Sequence, residues 1–326
     1  MKESILREQY AARGCSEEVS SRAVASVAAF EQWLFARGSS LEQADVALVR
    51  EYIRGLLQAG QNQPETLLAL ARYVHLIGRN NVYLYFTTLL GSEGVFESIQ
   101  KRLALLTEGS EQSCRHDELQ HPPLGSEPDD FPEFTKQLME RLEAALPEDK
   151  VQRVLAGNHH GIPVAAFEDE IQFYRQASSL DEYLNGRHKR QVAKLQQHCD
   201  SNTVWFEQMI TQRVVDYVAA NPEILSAVRT GDTLYVTKIP YQPDDYLATD
   251  DPLLKRYYAC HCPFVREAIL RGEPAISANW CYCSGGFAKH PYEVILGRAL
   301  RVTLLKSALN GDSVCRFAIH LDESAE

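Results

Sequence analysis

Leu300-Arg301-Val302-Thr303-Leu304, Asn310-Gly311-Asp312 and Cys315-Arg316-Phe317-Ala318-Ile319-His320-Leu321 together decide the fold class. Both flanking runs alternate apolar with polar residues, the period of a strand with one buried face, and Asn-Gly-Asp between them is a strong turn signal. They predict an antiparallel pair with Cys315, Phe317, Ile319 and Leu321 on one face, so Cys315 points where the core points. Upstream, Thr233-Leu234-Tyr235-Val236-Thr237 is rich in β-branched and aromatic residues and reads as another strand. Before Gly231 the spacing is helical instead. The expectation is an α+β chain: an all-α helical bundle over 1–106, a linker over 107–132, and an α+β domain with an antiparallel sheet over 133–326.

In the first part, Val24, Val27, Phe30 and Leu34 share a helix face that Gly38 ends. A second helix is expected to open at Ser40, with Glu42 and Asp45 in its first turns, and to run through Val49, Ile53 and Leu56 to Gly60. A third follows Pro64. Asn80 to Leu90 continues the helical reading although Val82, Tyr83, Tyr85 and Phe86 favour strands, and Val95 to Leu106 closes the bundle. The next stretch is polar and rich in Pro and Gly, the composition of a linker. Cys114, His116 and His121 lie in it as bystanders, since a flexible segment offers a metal no fixed geometry.

Helices are then expected over 134–146, 151–155, 168–185, 187–199 and 204–220. The run Arg187-His188-Lys189-Arg190 reads as a solvated face, and Trp205, Met209, Val214 and Tyr217 as core. His159-His160 sits at a helix exit, a surface loop that could supply one ligand.

The length of 326 residues suits two domains, and hydrophobic and charged fractions of 45% and 24% are those of a globular chain. No run approaches the roughly 18 apolar residues of a membrane span. The acids in Met1-Lys2-Glu3-Ser4-Ile5-Leu6-Arg7-Glu8 do not fit a signal peptide, which makes the cytoplasm the expected compartment. A net charge of −11 argues against a nucleic-acid partner. Eight cysteines without an export signal read as thiols, metal ligands or catalytic groups more readily than as disulfides.

Cys260-His261-Cys262 and Cys281-Tyr282-Cys283 are two Cys-x-Cys pairs separated by 18 residues. Zinc prefers a tetrahedron of soft donors, which two local thiolate pairs could supply. Three readings stand: all four bind a structural or catalytic zinc; some bind metal while one is a nucleophile favoured by a cation such as His261, Arg266 or Lys289, with Cys283 as the attacking thiolate of a metal-free variant; or all are small buried residues. Ser284-Gly285-Gly286 is either an ordinary turn or a backbone cradle for a carboxylate or phosphate ahead of a helix from Pro291 to Leu296. Glu293 and His290 would handle protons, and Arg266 would hold a substrate carboxylate.

Phe30-Glu31-Gln32-Trp33-Leu34, Gly38, Val49-Arg50-Glu51-Tyr52-Ile53 and Thr66 resemble the SAM-like core-binding domain of tyrosine recombinases over about residues 20–105. No recombinase catalytic set follows, so packing or homodimerisation is the preferred use of the bundle. Tyr257-Tyr258-Ala259-Cys260-His261-Cys262-Pro263-Phe264-Val265-Arg266, Trp280-Cys281-Tyr282-Cys283-Ser284-Gly285-Gly286, Lys306-Ser307 and the ending Gly311-Asp312-Ser313-Val314-Cys315-Arg316-Phe317-Ala318-Ile319 resemble the L-2-amino-thiazoline-4-carboxylic acid hydrolase-like proteins. These are related to the four-vinyl-reductase-type small-molecule-binding domains. The resemblance covers about 130–322. It implies an antiparallel sheet and helices around a small-molecule pocket with cysteines at its edge, and zinc held by cysteines and an acid in some relatives. Doubling the cysteines into two Cys-x-Cys pairs departs from both groups. Three functions follow as expectations: hydrolysis of a C–N or C–S bond in a small polar substrate, a non-catalytic zinc-containing ligand sensor, or thiol redox and metal trafficking.

Overall fold

The computed structural model describes residues 1–107 and 119–322. Cys114 and His116 lie outside them. Contacts group the chain into two units, Met1–Glu93 with His121–Asp130, and Gly94–Gln120 with Phe131–Glu326. The fold class is the expected α+β.

The first unit is helical: α1 (Glu3–Ala12), α2 (Glu17–Phe35), α3 (Val46–Gln58), α4 (Pro64–Leu76) and α5 (Asn80–Leu90). Helix α3 starts later than Ser40 because Asp45 is its N-cap and accepts the Leu48 N–H at 2.9 Å, satisfying a donor that the first turn leaves free. Helix α5 forms despite its strand formers, since Val82, Phe86 and Leu89 fall on one face and pack into a core with Phe30, Ile53 and Tyr73. Burial of that face outweighs local propensity. The described end of the expected linker is fastened to this unit. Glu127 accepts from Arg50 Nε at 2.7 Å and from Tyr85 Oη at 2.5 Å, and Asn62 Nδ2 donates to the Leu124 carbonyl at 2.8 Å.

The second unit opens with α6 (Val95–Leu106), which sequence spacing placed in the bundle. Its Val95, Phe96, Ile99 and Leu103 instead belong to the second core, where Phe96 meets Phe134 edge-on at 5.1 Å. Then come α7 (Phe131–Ala145), α8 (Glu148–Leu155), α9 (Glu168–Gln176) and α10 (Leu180–Ser201). Arg187 on α10 is not solvated. Its side chain is 12% exposed and pairs at 3.1 Å with Glu170, which also accepts from Arg190 Nη2 at 3.0 Å and Tyr183 Oη at 2.8 Å.

The stretch expected as one helix over 204–220 divides into a hairpin, β1 (Val204–Trp205) with β2 (Gln208–Met209), and a short α11 (Gln212–Ala219). Trp205 and Met209 are four apart, a helical spacing, but the hairpin pairs Val204 with Met209 and Trp205 with Gln208, so the two fall on opposite faces. Strands β3 (Val228–Thr230) and β4 (Thr233–Thr237) are followed by α12 (Pro243–Ala248), α13 (Pro252–Ala259), α14 (Arg266–Arg271) and α15 (Tyr282–Leu296), and then by β5 (Arg301–Lys306) and β6 (Arg316–His320). The main sheet is antiparallel in the order β3-β4-β6-β5. The terminal hairpin forms as its alternation predicts, with Val302 opposite Ile319 and Leu304 opposite Phe317. Among the described residues no helix is long and apolar enough to cross a membrane.

Candidate functional site

Three chain segments bring cysteines to one part of the second unit. Cys260 ends α13 and Cys262 follows two residues on. Cys281 closes a buried 3-10 turn over Ala278–Cys281 and Cys283 lies in the first turn of α15. Cys315 immediately precedes β6. None of the described cysteines is in a disulfide. Their charges would act on one another: Cys260 on Cys262, Cys281 and Cys315, and Cys283 on Cys262.

Four of these thiols are buried and Cys262 is half-buried. Burial pushes each thiol up, because a thiolate loses water and gains little in return. Cys283 reaches about 12, with Cys262 adding to the rise and Lys238 opposing it. Cys281 lies well above the ordinary value, although its Sγ is 3.0 Å from Ser307 Oγ. Cys262 differs in its partners. Its Sγ accepts the Trp280 indole N–H at 3.2 Å, which with the nearby Phe264 N–H and the Lys238 charge opposes the effect of burial.

Two cations stand against this cluster. Lys238 follows β4; its backbone N–H donates to the Cys315 carbonyl at 2.9 Å, and its Nζ donates to Ser284 Oγ at 2.9 Å. The Arg266 guanidinium stacks against the rings of Tyr241 and Tyr257, 4.6 and 5.0 Å from their centroids. Its Nε is buried without a hydrogen-bond acceptor and lies 3.7 Å from Glu267 Oε1. The expected third cation, His261, is neutral. Burial first, then Lys238 and Arg266, push it well below the imidazole value, while its Nε2 donates to the Ile239 carbonyl at 2.7 Å and leaves Nδ1 as the lone-pair nitrogen.

Glu207, in the two-residue turn of the β1–β2 hairpin, feels the charges of the same cations. Burial raises its carboxyl, and Lys238 and Arg266 draw it back. The hairpin is pinned by Gln208, whose Nε2 donates to the carbonyls of Pro240 and Tyr241 at 2.6 and 2.8 Å. Neither Glu207 nor Lys238 was singled out by sequence. Glu207 is 31 residues from Lys238 and 59 from Arg266, and no local pattern links them.

The other expected site residues go elsewhere. Ser284, Gly285 and Gly286 are not a turn; they lie inside α15, which runs from Tyr282 rather than from Pro291, so the two glycine N–H groups close helical bonds. The glycines are packing devices. A Cβ on Gly286 would lie 2.2 Å from the Gly157 carbonyl oxygen, and one on Gly285 would lie 3.3 Å from Val302 and 3.4 Å from Phe317. Ser284 does join the site, through Lys238.

His290 and Glu293 do not join it. Seven and ten residues beyond Cys283 on one helix place them about 10 and 15 Å along its axis. His290 Nε2 is 3.0 Å from the Ile162 carbonyl, while Glu293 accepts from Lys289 Nζ and from the Leu300 N–H at 2.9 Å. Both therefore hold α15 in place. His159 is buried, with Nδ1 3.0 Å from Ser98 Oγ and Nε2 2.9 Å from the Val154 carbonyl, so the histidine pair is not a shared ligand.

Thiolates suit zinc chemically, and N–H donors around Cys262 are the contacts a metal-bound sulfur uses. Among the described residues no three His, Cys, Asp or Glu side chains stand as a metal-holding group, and no step below runs through a zinc ion.

Residues 241–325 match the model of a family described as a family of unknown function (DUF6144). That segment includes the cysteines and Arg266 but excludes Glu207 and Lys238. No curated protein matches the chain, and no solved structure matches it.

Proposed function

We propose that the second unit is a small-molecule-handling domain whose reactive group is the Cys262 thiol, acting on a small polar substrate at a carbon bonded to nitrogen or sulfur. The observation that carries this reading is the donor on one sulfur. Cys262 is the least buried residue of the five in the cluster, and its Sγ accepts from the Trp280 indole N–H. Such a donor favours the thiolate, the form that attacks. The resemblance to thiazoline-carboxylate hydrolases points to the same class of reaction.

In this reading the Cys262 sulfur bonds to the electrophilic carbon and the C–N or C–S bond breaks. The departing atom takes a proton, water then cleaves the new S–C bond, and the thiol is restored. His261 Nδ1 is the proton-accepting nitrogen, its tautomer fixed by the Ile239 carbonyl. This moves the nucleophile from Cys283 to Cys262 and the proton chemistry from Glu293 and His290 to His261.

Limited alkylation with iodoacetamide, followed by peptide mapping, tests the assignment. Within the cluster Cys262 should label first, and Cys262→Ser should abolish that fast phase while Cys283→Ser keeps it. Equal labelling across the cluster, or a fast phase that belongs to Cys283, would overturn it.

A further inference from the structure

Over residues 281–290 every residue is buried except Ser284 and Phe287. Three apart on α15, these two share a face, and Lys238 stands over both. Its Nζ is 2.9 Å from Ser284 Oγ and 5.2 Å from the centroid of the Phe287 ring. Among the described residues neither group has a rival partner. Lys238 forms no ion pair, and Ser284 Oγ does not turn back onto its own helix, as the hydroxyls of Ser26 and Thr135 do, but bonds to Nζ alone. The lysine backbone is fixed as well, since its N–H donates to the Cys315 carbonyl at 2.9 Å. The exposed His160 ring meets Phe287 edge-on at 5.6 Å and extends the aromatic surface beside the pair.

A serine hydroxyl is a poor nucleophile until a base within hydrogen-bond reach removes its proton, and a lysine amine held against the oxygen can be that base. We propose that Ser284 and Lys238 form a nucleophile and base pair that cleaves small aryl esters, a second reactive site beside the Cys262 thiol and independent of it. Ser284 Oγ bonds to the acyl carbon while its proton passes to the unprotonated Lys238 amine. The bond from that carbon to the aryl oxygen breaks, and the oxygen leaves with the proton from Nζ. Water then cleaves the acyl-serine: its oxygen bonds to the acyl carbon, one of its protons restores the Ser284 hydroxyl, and a carboxylic acid departs. Phe287 and His160 receive the aryl ring, which suits the edge and face contacts that aromatic groups make.

Phenylmethanesulfonyl fluoride, which forms an S–O bond to an activated serine and releases fluoride, tests the pair on the full chain, with the adduct located by peptide mapping. The wild type should carry it on Ser284, and Ser284→Ala should not. Lys238→Arg keeps a cation that can donate to Ser284 but supplies no base, so labelling should slow roughly a hundredfold. p-Nitrophenyl acetate should release a burst of about one nitrophenolate per chain in the wild type and none in Ser284→Ala. No adduct on Ser284, or labelling of Lys238→Arg as fast as the wild type, would overturn the proposal. Because the adduct is mapped first on the wild type, a variant that fails to fold does not leave it untested. Iodoacetamide labelling of Cys262 is read separately, so either assignment can fail while the other stands.

Discussion

The Trp280 indole N–H donates to Cys262 Sγ at 3.2 Å, linking a fully buried aromatic residue to the least buried cysteine of the cluster. Removing the donor while keeping an aromatic ring in place tests its contribution. Trp280→Phe should raise the pH midpoint of Cys262 alkylation by about one unit, the equivalent of ~1 kcal/mol for a single hydrogen bond. An unchanged midpoint would show that the indole N–H does not support the thiolate.

Gly286 permits the closest backbone approach in the second unit's glycine set, between α15 and the chain at Gly157. Gly286→Ala puts a Cβ 2.2 Å from a carbonyl oxygen, so backbone must move, at a cost of about 3 kcal/mol or more in denaturant unfolding. Gly285→Ala meets only side chains at 3.3–3.4 Å, and should cost about 1 kcal/mol. Similar costs for the two would contradict the packing role assigned to Gly286.

His159 makes stability depend on pH. Burial lowers it to about 4, with Arg102 adding to the effect, so the native state keeps a neutral ring that the unfolded chain protonates near 6.5. Its contribution is therefore present above about pH 6.5 and is lost as pH falls towards 4, with an upper bound of roughly 3 kcal/mol. Urea unfolding at pH 7 and pH 5 should show a loss in wild type that shrinks in His159→Gln. A loss of equal size in both would assign the acid sensitivity elsewhere.

Glu170 serves two arginines and a tyrosine, and Arg187 and Glu170 side chains are only 12% and 15% exposed. Glu170→Gln leaves Arg187 buried without its counter-charge. About 3 kcal/mol of destabilisation is expected, well above the effect of an exposed pair such as Arg22 with Glu18. A loss under 1 kcal/mol would indicate that water reaches Arg187.

Metal analysis of reduced protein, purified without added metal or chelator, addresses the cysteine placement. With donors arranged as they are, zinc should be well below one per chain and all eight cysteines should react with a thiol reagent in denaturant. One zinc per chain, lost in Cys281→Ser/Cys283→Ser, would show that the thiols close around a metal.

Periodicity determined much of the fold. A strand with one buried face must alternate, so Val302, Phe317 and Ile319 announced the terminal hairpin, whose register the structure then gives. Helices with one buried face announced α2 and α4 in the same way. Sequence also located the cysteines, since four in 24 residues is a local fact. It did not separate a hairpin from a helix at Val204–Met209, because strands of two residues are too short to show an alternation.

Tertiary structure alone decided what these residues do. Gly285 and Gly286 have the composition of a loop, yet both sit in a helix because neighbouring chain approaches where a side chain would stand. Cys262 and Cys283 are equivalent as letters and differ through Trp280 and burial. Glu207 feels the charges of Lys238 and Arg266 only when the hairpin, β4 and α14 pack in one unit. Electrostatic environment depends on distance in space and on excluded water, neither of which is written into the spacing of residues along the chain.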